Sequence, residues 1–138
     1  MPIIDWDESM SIGLYLIDEQ HRELVTLINN IHDAVEAGAS TTEVSRFIRR
    51  FYNYTITHFQ TEESLMDHET YPDYFTQVRE HLDCSLKALE FHRKFIEDPQ
   101  FSLKEFLDFI VEWFVHHTTG IDQTLARHLL ERGLAGRC

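Results

Sequence analysis

Cysteine is scarce: Cys84, in mid-chain, and Cys138, at the last position, are the only two in 138 residues. They make neither a disulfide framework nor a CxxC metal motif, so thiolate metal chemistry is excluded and Cys84 reads as a half-buried apolar residue. Proline and glycine are also few, at three and five. That excludes linker and low-complexity segments and suits long helices. No apolar run reaches membrane-spanning length, and the start MPIIDWDESM lacks the basic-then-apolar layout of a signal peptide. The expected compartment is the cytoplasm. Basic residues are outnumbered, 12 against 24 acidic, for a net charge of −12, and no Lys/Arg cluster offsets this locally. Nucleic acid and anionic membrane surfaces are therefore excluded as partners. The length allows one domain, residues 1–138, with one core.

What the chain has in excess is histidine, nine in all, set within helical periodicity. Residues 1–16 show no sustained period and predict an extended N-terminal arm. A first helix is expected over about 18–37, with His21, Leu24, Val25, Ile28, Ile31 and Val35 on one face and Gly38 at its end. Ser40 and Glu43 form a capping-box pattern that opens a second helix, about 41–66. The third, about 72–97, starts near Pro72; Phe75, Val78, His81, Leu82, Ser85, Leu89, His92 and Ile96 are expected inward, and Asp98 and Pro99 stop it. A second capping-box pattern, Ser102 with Glu105, opens the fourth, about 102–132, which carries Phe106, Phe109, Ile110, Trp113, His117 and Ile121. The fold class is all-α: an antiparallel up-down-up-down four-helix bundle with that arm laid across it.

His58 and Glu62 stand four residues apart on the apolar face of the second helix, in line with Phe51, Thr55, Leu65 and Met66. A carboxylate there is costly unless paired, hydrogen-bonded or bound to metal. The other helices offer partners: His21, His81 and His117 face the same interior. One such histidine is an ordinary core residue; one per helix, with carboxylates, points to a metal site. Imidazole and carboxylate without thiolate suit iron, manganese or zinc, and two bridging carboxylates would suit a pair of ions. Asp122 is five residues from His117 and so about 140° out of phase on a regular helix. Spacing leaves two readings open: a bulge near Thr118, Thr119 and Gly120 that turns Asp122 inward, or an Asp122 that faces solvent or caps a new segment. His32, His68, His116 and His128 fall outside the ligand turns, and His92 is a reserve candidate.

Four stretches together resemble the hemerythrin family, in particular its single-domain bacterial members: WDESMSIGLYLIDEQH (6–21), HFQTEESLM (58–66), YPDYFTQVREH (71–81) and WFVHHTTGID (113–122). The resemblance spans almost the whole chain. It implies a non-haem centre of two iron ions with a bridging oxo or hydroxo group, binding O₂ reversibly. His21 and His58 would serve one iron, His81 and His117 the other, with Glu62 and Asp122 bridging. Phe59, Trp113, Phe114 and Thr118 would line the O₂ pocket. Thr118 is polar where the family usually has a bulky aliphatic residue, so faster autoxidation is expected. The family pattern also has a histidine four residues before the position of His81; here that residue is Gln77. A neutral amide is a poorer donor to iron(II), so the iron beside Gln77 is expected to be held less tightly and to be more open to outside ligands. The expected role is oxygen carrying, storage, scavenging or sensing rather than catalysis. The alternative is an oxidase, peroxidase or nitric-oxide-handling enzyme enabled by Gln77. Beyond O₂, with NO or peroxide as further ligands, the sequence names no protein partner.

Overall fold

The structure, a computed structural model, describes residues 3–66, 71–98, 100–118 and 122–131. After a 3-10 turn at Glu8–Met10 come α1 (Tyr15–Glu36), α2 (Thr41–Leu65), α3 (Tyr74–Glu97), α4 (Lys104–His116) and α5 (Asp122–Glu131). No strand occurs among the described residues, and none of their helices is long and apolar enough to cross a membrane. α1 packs on α2 and α4, and α3 packs on the same two, giving a four-helix bundle. The turn between α1 and α2 uses Gly38 at φ 72°, a left-handed conformation that glycine adopts without Cβ strain. Ser40 then caps α2, its side chain accepting from the backbone N–H of Glu43, as the capping-box pattern predicts.

The arm is held at two points. Asn29 on α1 accepts from the backbone N–H groups of Ile3 and Ile4 at 2.9 and 3.1 Å and donates to the Ile4 carbonyl at 2.7 Å. Further along, buried Asp18 accepts from the Ser11 hydroxyl and the Ile12 N–H. Two apolar clusters fill the bundle. The larger contains Leu24, Ile28, Ile48, Phe51, Phe106, Ile110 and Phe114; the smaller closes one end with Leu14, Ile17, Met66, Tyr71, Leu125 and Leu129. Each fully buried side chain of this size contributes about 1.5–3 kcal/mol. Along α1 and α2 the boundary between the clusters falls where the sequence puts His21, His58 and Glu62.

Two expectations need correction. On α3, Phe75, Leu82, Leu89 and Ile96 are exposed, and the inward set is Gln77, His81, Cys84, Ser85, Ala88 and Phe95. Their seven-residue spacing is a genuine stripe, but Gln77 and His81 occupy the opposite face, and only one of the two can point inward. Ser102 does not form a capping box with Glu105: α4 begins at Lys104, whose N–H the Ser102 hydroxyl accepts at 3.2 Å. Over the expected fourth helix the described residues form α4 and α5, with π-helical geometry at His117 and Thr118. A π turn admits an extra residue, which is what the offset between His117 and Asp122 calls for if both face inward. Pro99, His68, Thr119, Gly120, Ile121 and Cys138 lie outside the described residues, and so does the side chain of Asp122.

Candidate metal centre

Four helices deliver five ligand-type side chains to one dry point. His21, His58, Glu62, His81 and His117 are each at most 4% exposed. Glu62 Oε1 is the hub: His117 Nε2 lies 2.8 Å from it, His58 Nε2 3.0 Å and His81 Nε2 3.5 Å. His58 Nε2 is also 3.2 Å from His21 Nε2 and 3.3 Å from His117 Nε2. Two overlapping triads result, His21–His58–His117 and Glu62–His81–His117, the ligand atoms of each lying within 4.8 Å of one another.

The rings are oriented from behind. His58 donates from Nδ1 to Gln20 Oε1 at 2.8 Å, and Gln20 is fixed in that sense because its Nε2 donates to Thr61 Oγ1, whose hydroxyl donates to the Thr57 carbonyl. His81 donates from Nδ1 to Glu63 Oε2 at 2.8 Å. Both acceptors can only accept, so in the neutral rings the proton sits on Nδ1 and a bare lone pair on Nε2 points inward. Neither Gln20 nor Glu63 was identifiable as part of the site from sequence. Their one signal is position, next to His21 and Glu62 in the chain; the contacts themselves depend on how α1 and α3 dock on α2.

Burial, reinforced by His58, lowers the His21 pKa to about 3. Burial likewise lowers His117 to about 4, against the pull of Glu62. Burial alone would raise the Glu62 carboxyl, but the pull of His117 and His58 outweighs it and holds it well below the ordinary range. At neutral pH the centre therefore holds an ionised Glu62 beside uncharged His21 and His117 rings. Among the described residues Glu62 Oε2 and His81 Nε2 have no hydrogen-bond partner. Buried lone pairs facing lone pairs are unfavourable, and a divalent cation among them removes the conflict, so the donor set fits a metal.

The surrounding residues are aromatic. Phe59 stacks on His81 with ring centroids 4.0 Å apart, Trp113 stacks on His117 at 5.0 Å, and Phe114 meets His21 edge-on at 5.7 Å. Thr118 is fully buried, but its hydroxyl donates to the Phe114 carbonyl at 3.0 Å. The hydroxyl is thus engaged with the helix backbone, which weakens the sequence-based reason for expecting it to wet the pocket. Gln77 is 3% exposed, and its Nε2 donates to the Tyr71 hydroxyl at 3.2 Å. That bond engages the amide nitrogen and not the oxygen, the atom through which an amide binds metal. His32 and His116 are partly or fully exposed, and His128 packs against Tyr71. His92, on α3, has a pKa lowered by burial and by Arg49, and it is not part of either triad.

Residues 12–129 match the family described as hemerythrin HHE cation binding domain. A bacteriohemerythrin of Stenotrophomonas maltophilia is 29% identical over 126 residues, covering 91% of this chain and 81% of that protein. A hemerythrin-like protein of Naegleria gruberi is 30% identical over 122 residues, covering 86% and 87%. Among solved structures, a wild-type hemerythrin superposes with a TM-score of 0.82 at 21% identity, over 91% of this chain and 96% of that one, which supports the fold.

Proposed function

The chain belongs to the hemerythrin family, and from that premise we propose that it is a di-iron protein that binds O₂ reversibly. His21 and His58 would hold one iron and His81 and His117 the other, with Glu62 and Asp122 bridging and Gln77 beside the second. When bound, such an iron pair supplies an open coordination position and the electrons that make capture of O₂ strong yet reversible. The protein's part is positional. Gln20 and Glu63 keep His58 and His81 in the tautomer that turns Nε2 inward, which raises ring basicity and fixes ring angle. Phe59, Trp113 and Phe114 exclude water from the rings they touch, which limits proton access and hence irreversible loss of electrons to oxygen.

The observation that carries this reading is the convergence of His117, His58 and His81 Nε2 on a single buried carboxylate oxygen. A hydrogen-bonded polar core would distribute its protons; here three ring nitrogens face one acceptor. The reading has a rival that a specific residue favours. Gln77, with Tyr71 behind it, replaces an imidazole by an amide and opens the second position to peroxide, NO or turnover of O₂. An oxygen electrode separates the two. Binding consumes O₂ in stoichiometric proportion to the iron centre and releases it when oxygen is removed. Continued consumption in the presence of a reductant would instead establish an oxidase.

A further inference from the structure

Among the described residues eight large apolar side chains are exposed, and five of them sit on α3. Phe75 is 73% exposed, Leu82 56%, Leu86 55%, Leu89 44% and Ile96 55%. Phe75, Leu82, Leu89 and Ile96 recur at seven-residue intervals, and Leu86 lies between the middle pair. At 1.5 Å per residue this seam runs roughly 30 Å along the outside of the bundle. Between His81 and Phe95 the inward side of the same helix is lined by small residues, Cys84, Ser85 and Ala88. α3 thus presents its bulkier apolar stripe to solvent, the reverse of an ordinary surface helix.

Charge indicates what covers it. The chain carries −12, yet α3 holds Arg79, Lys87, Arg93 and Lys94 against Glu80, Asp83, Glu90 and Glu97, a balance of four and four. All the net negative charge lies elsewhere. Two copies of so acidic a chain repel over most of their surfaces, and α3 is where that repulsion is absent. Both signs also flank the seam, with Arg79 and Arg93 in line with Leu86 at seven-residue steps and Asp83, Glu90 and Glu97 in a parallel row. A seven-residue apolar repeat flanked by mixed charge is the pattern by which helices pair with one another.

We propose that the outer face of α3 is a homodimer interface, its occupant the α3 of a second copy. The seam and its charged flanks span a whole helix, the scale of a specific interface of about 800 Å² per partner. The contact has a further consequence for the bundle. Leu82 and Leu86 border a groove of about 320 Å³ between α2 and α3, with Phe59 and His81 among its lining. A second copy seated on α3 roofs that groove. The dimer itself does not depend on the metal reading.

Sedimentation equilibrium of the full chain tests it, with and without loaded iron. The expected result is a dimer at about 100 µM that dissociates on dilution, and a Leu86→Glu, Leu89→Glu variant whose dimerisation is at least about tenfold weaker. Because both positions are exposed, the variant should keep the helical circular dichroism and thermal midpoint of the parent. Leu82→Lys provides a second, independent disruption should the double variant fail to fold. A parent that stays monomeric at about 100 µM, or a dimer that survives substitution in a folded variant, overturns the proposal.

Discussion

His58 donates its Nδ1 proton to the side-chain oxygen of Gln20, 2.8 Å away on the neighbouring helix, and that bond fixes which nitrogen faces the centre of the bundle. Since α1 supplies the acceptor and α2 the ring, the docking of the two helices and the chemistry of the site are linked. The same logic holds at His81, where the acceptor is a half-exposed carboxylate, Glu63, rather than a buried amide.

Removal of the buried acceptor should therefore lower metal affinity without removing a ligand. Gln20→Ala is expected to weaken iron binding about 10- to 100-fold, the usual cost of losing a partner of this kind. Competition against a chelator of known affinity measures it. Unchanged affinity would show that the ring is held by packing alone.

Gln77→His restores an imidazole one turn before His81. The expected outcome is two tight equivalents of iron by anaerobic calorimetry, where the parent gives one tight and one weaker. If the parent already binds two equivalents with equal affinity, Gln77 does not make the second position weaker.

The pH dependence of the iron-free protein follows from His21, with its pKa at about 3, and His117, at about 4. Both lie below the unfolded value of about 6.5, so between those limits the unfolded chain binds more protons than the folded one. Stability is fully present above about pH 6.5 and falls as the pH drops toward the folded values. The two rings together should remove on the order of 2 kcal/mol between about pH 6.5 and 5.5. Glu62, held low in the fold, acts in the same direction but only below its own unfolded value. Urea denaturation at three pH values tests this; a flat profile would contradict the burial of neutral rings. Bound metal should not flatten it, because ligation keeps the folded rings deprotonated while the unfolded chain still takes up protons.

Asn29→Ala removes three hydrogen bonds that pin the arm to α1. A loss of about 1–3 kcal/mol in stability is expected. Hydrogen exchange should show faster exchange at Ile3 and Ile4, with the metal site unaffected.

How far the sequence discloses this molecule varies by element. The helical faces of α1 and α2 are legible because large apolar residues recur there at helical spacing and the ligand residues share their stripe. His21, His58 and Glu62 come together for that reason, and His81 from α3 and His117 from the end of α4 meet them. α3 is where the pattern misleads, since it carries two stripes and the apolar one faces out. Periodicity reports that a face exists, not what it meets. Gln20 and Glu63 were invisible because a hydrogen bond between helices depends on their relative height and rotation, which no local pattern encodes. The irregularity after α4 was legible in part: the five-residue offset from His117 to Asp122 signals it, and π-helical geometry stands at His117 and Thr118.

The most direct test is the visible spectrum of the full-length chain loaded with iron(II) without oxygen, then exposed to air and returned to anaerobic conditions. The account predicts a colourless protein that develops visible absorption with O₂ and loses it when O₂ is withdrawn. A protein that takes up no iron under these conditions, or one whose spectrum is unchanged by oxygen, would contradict it.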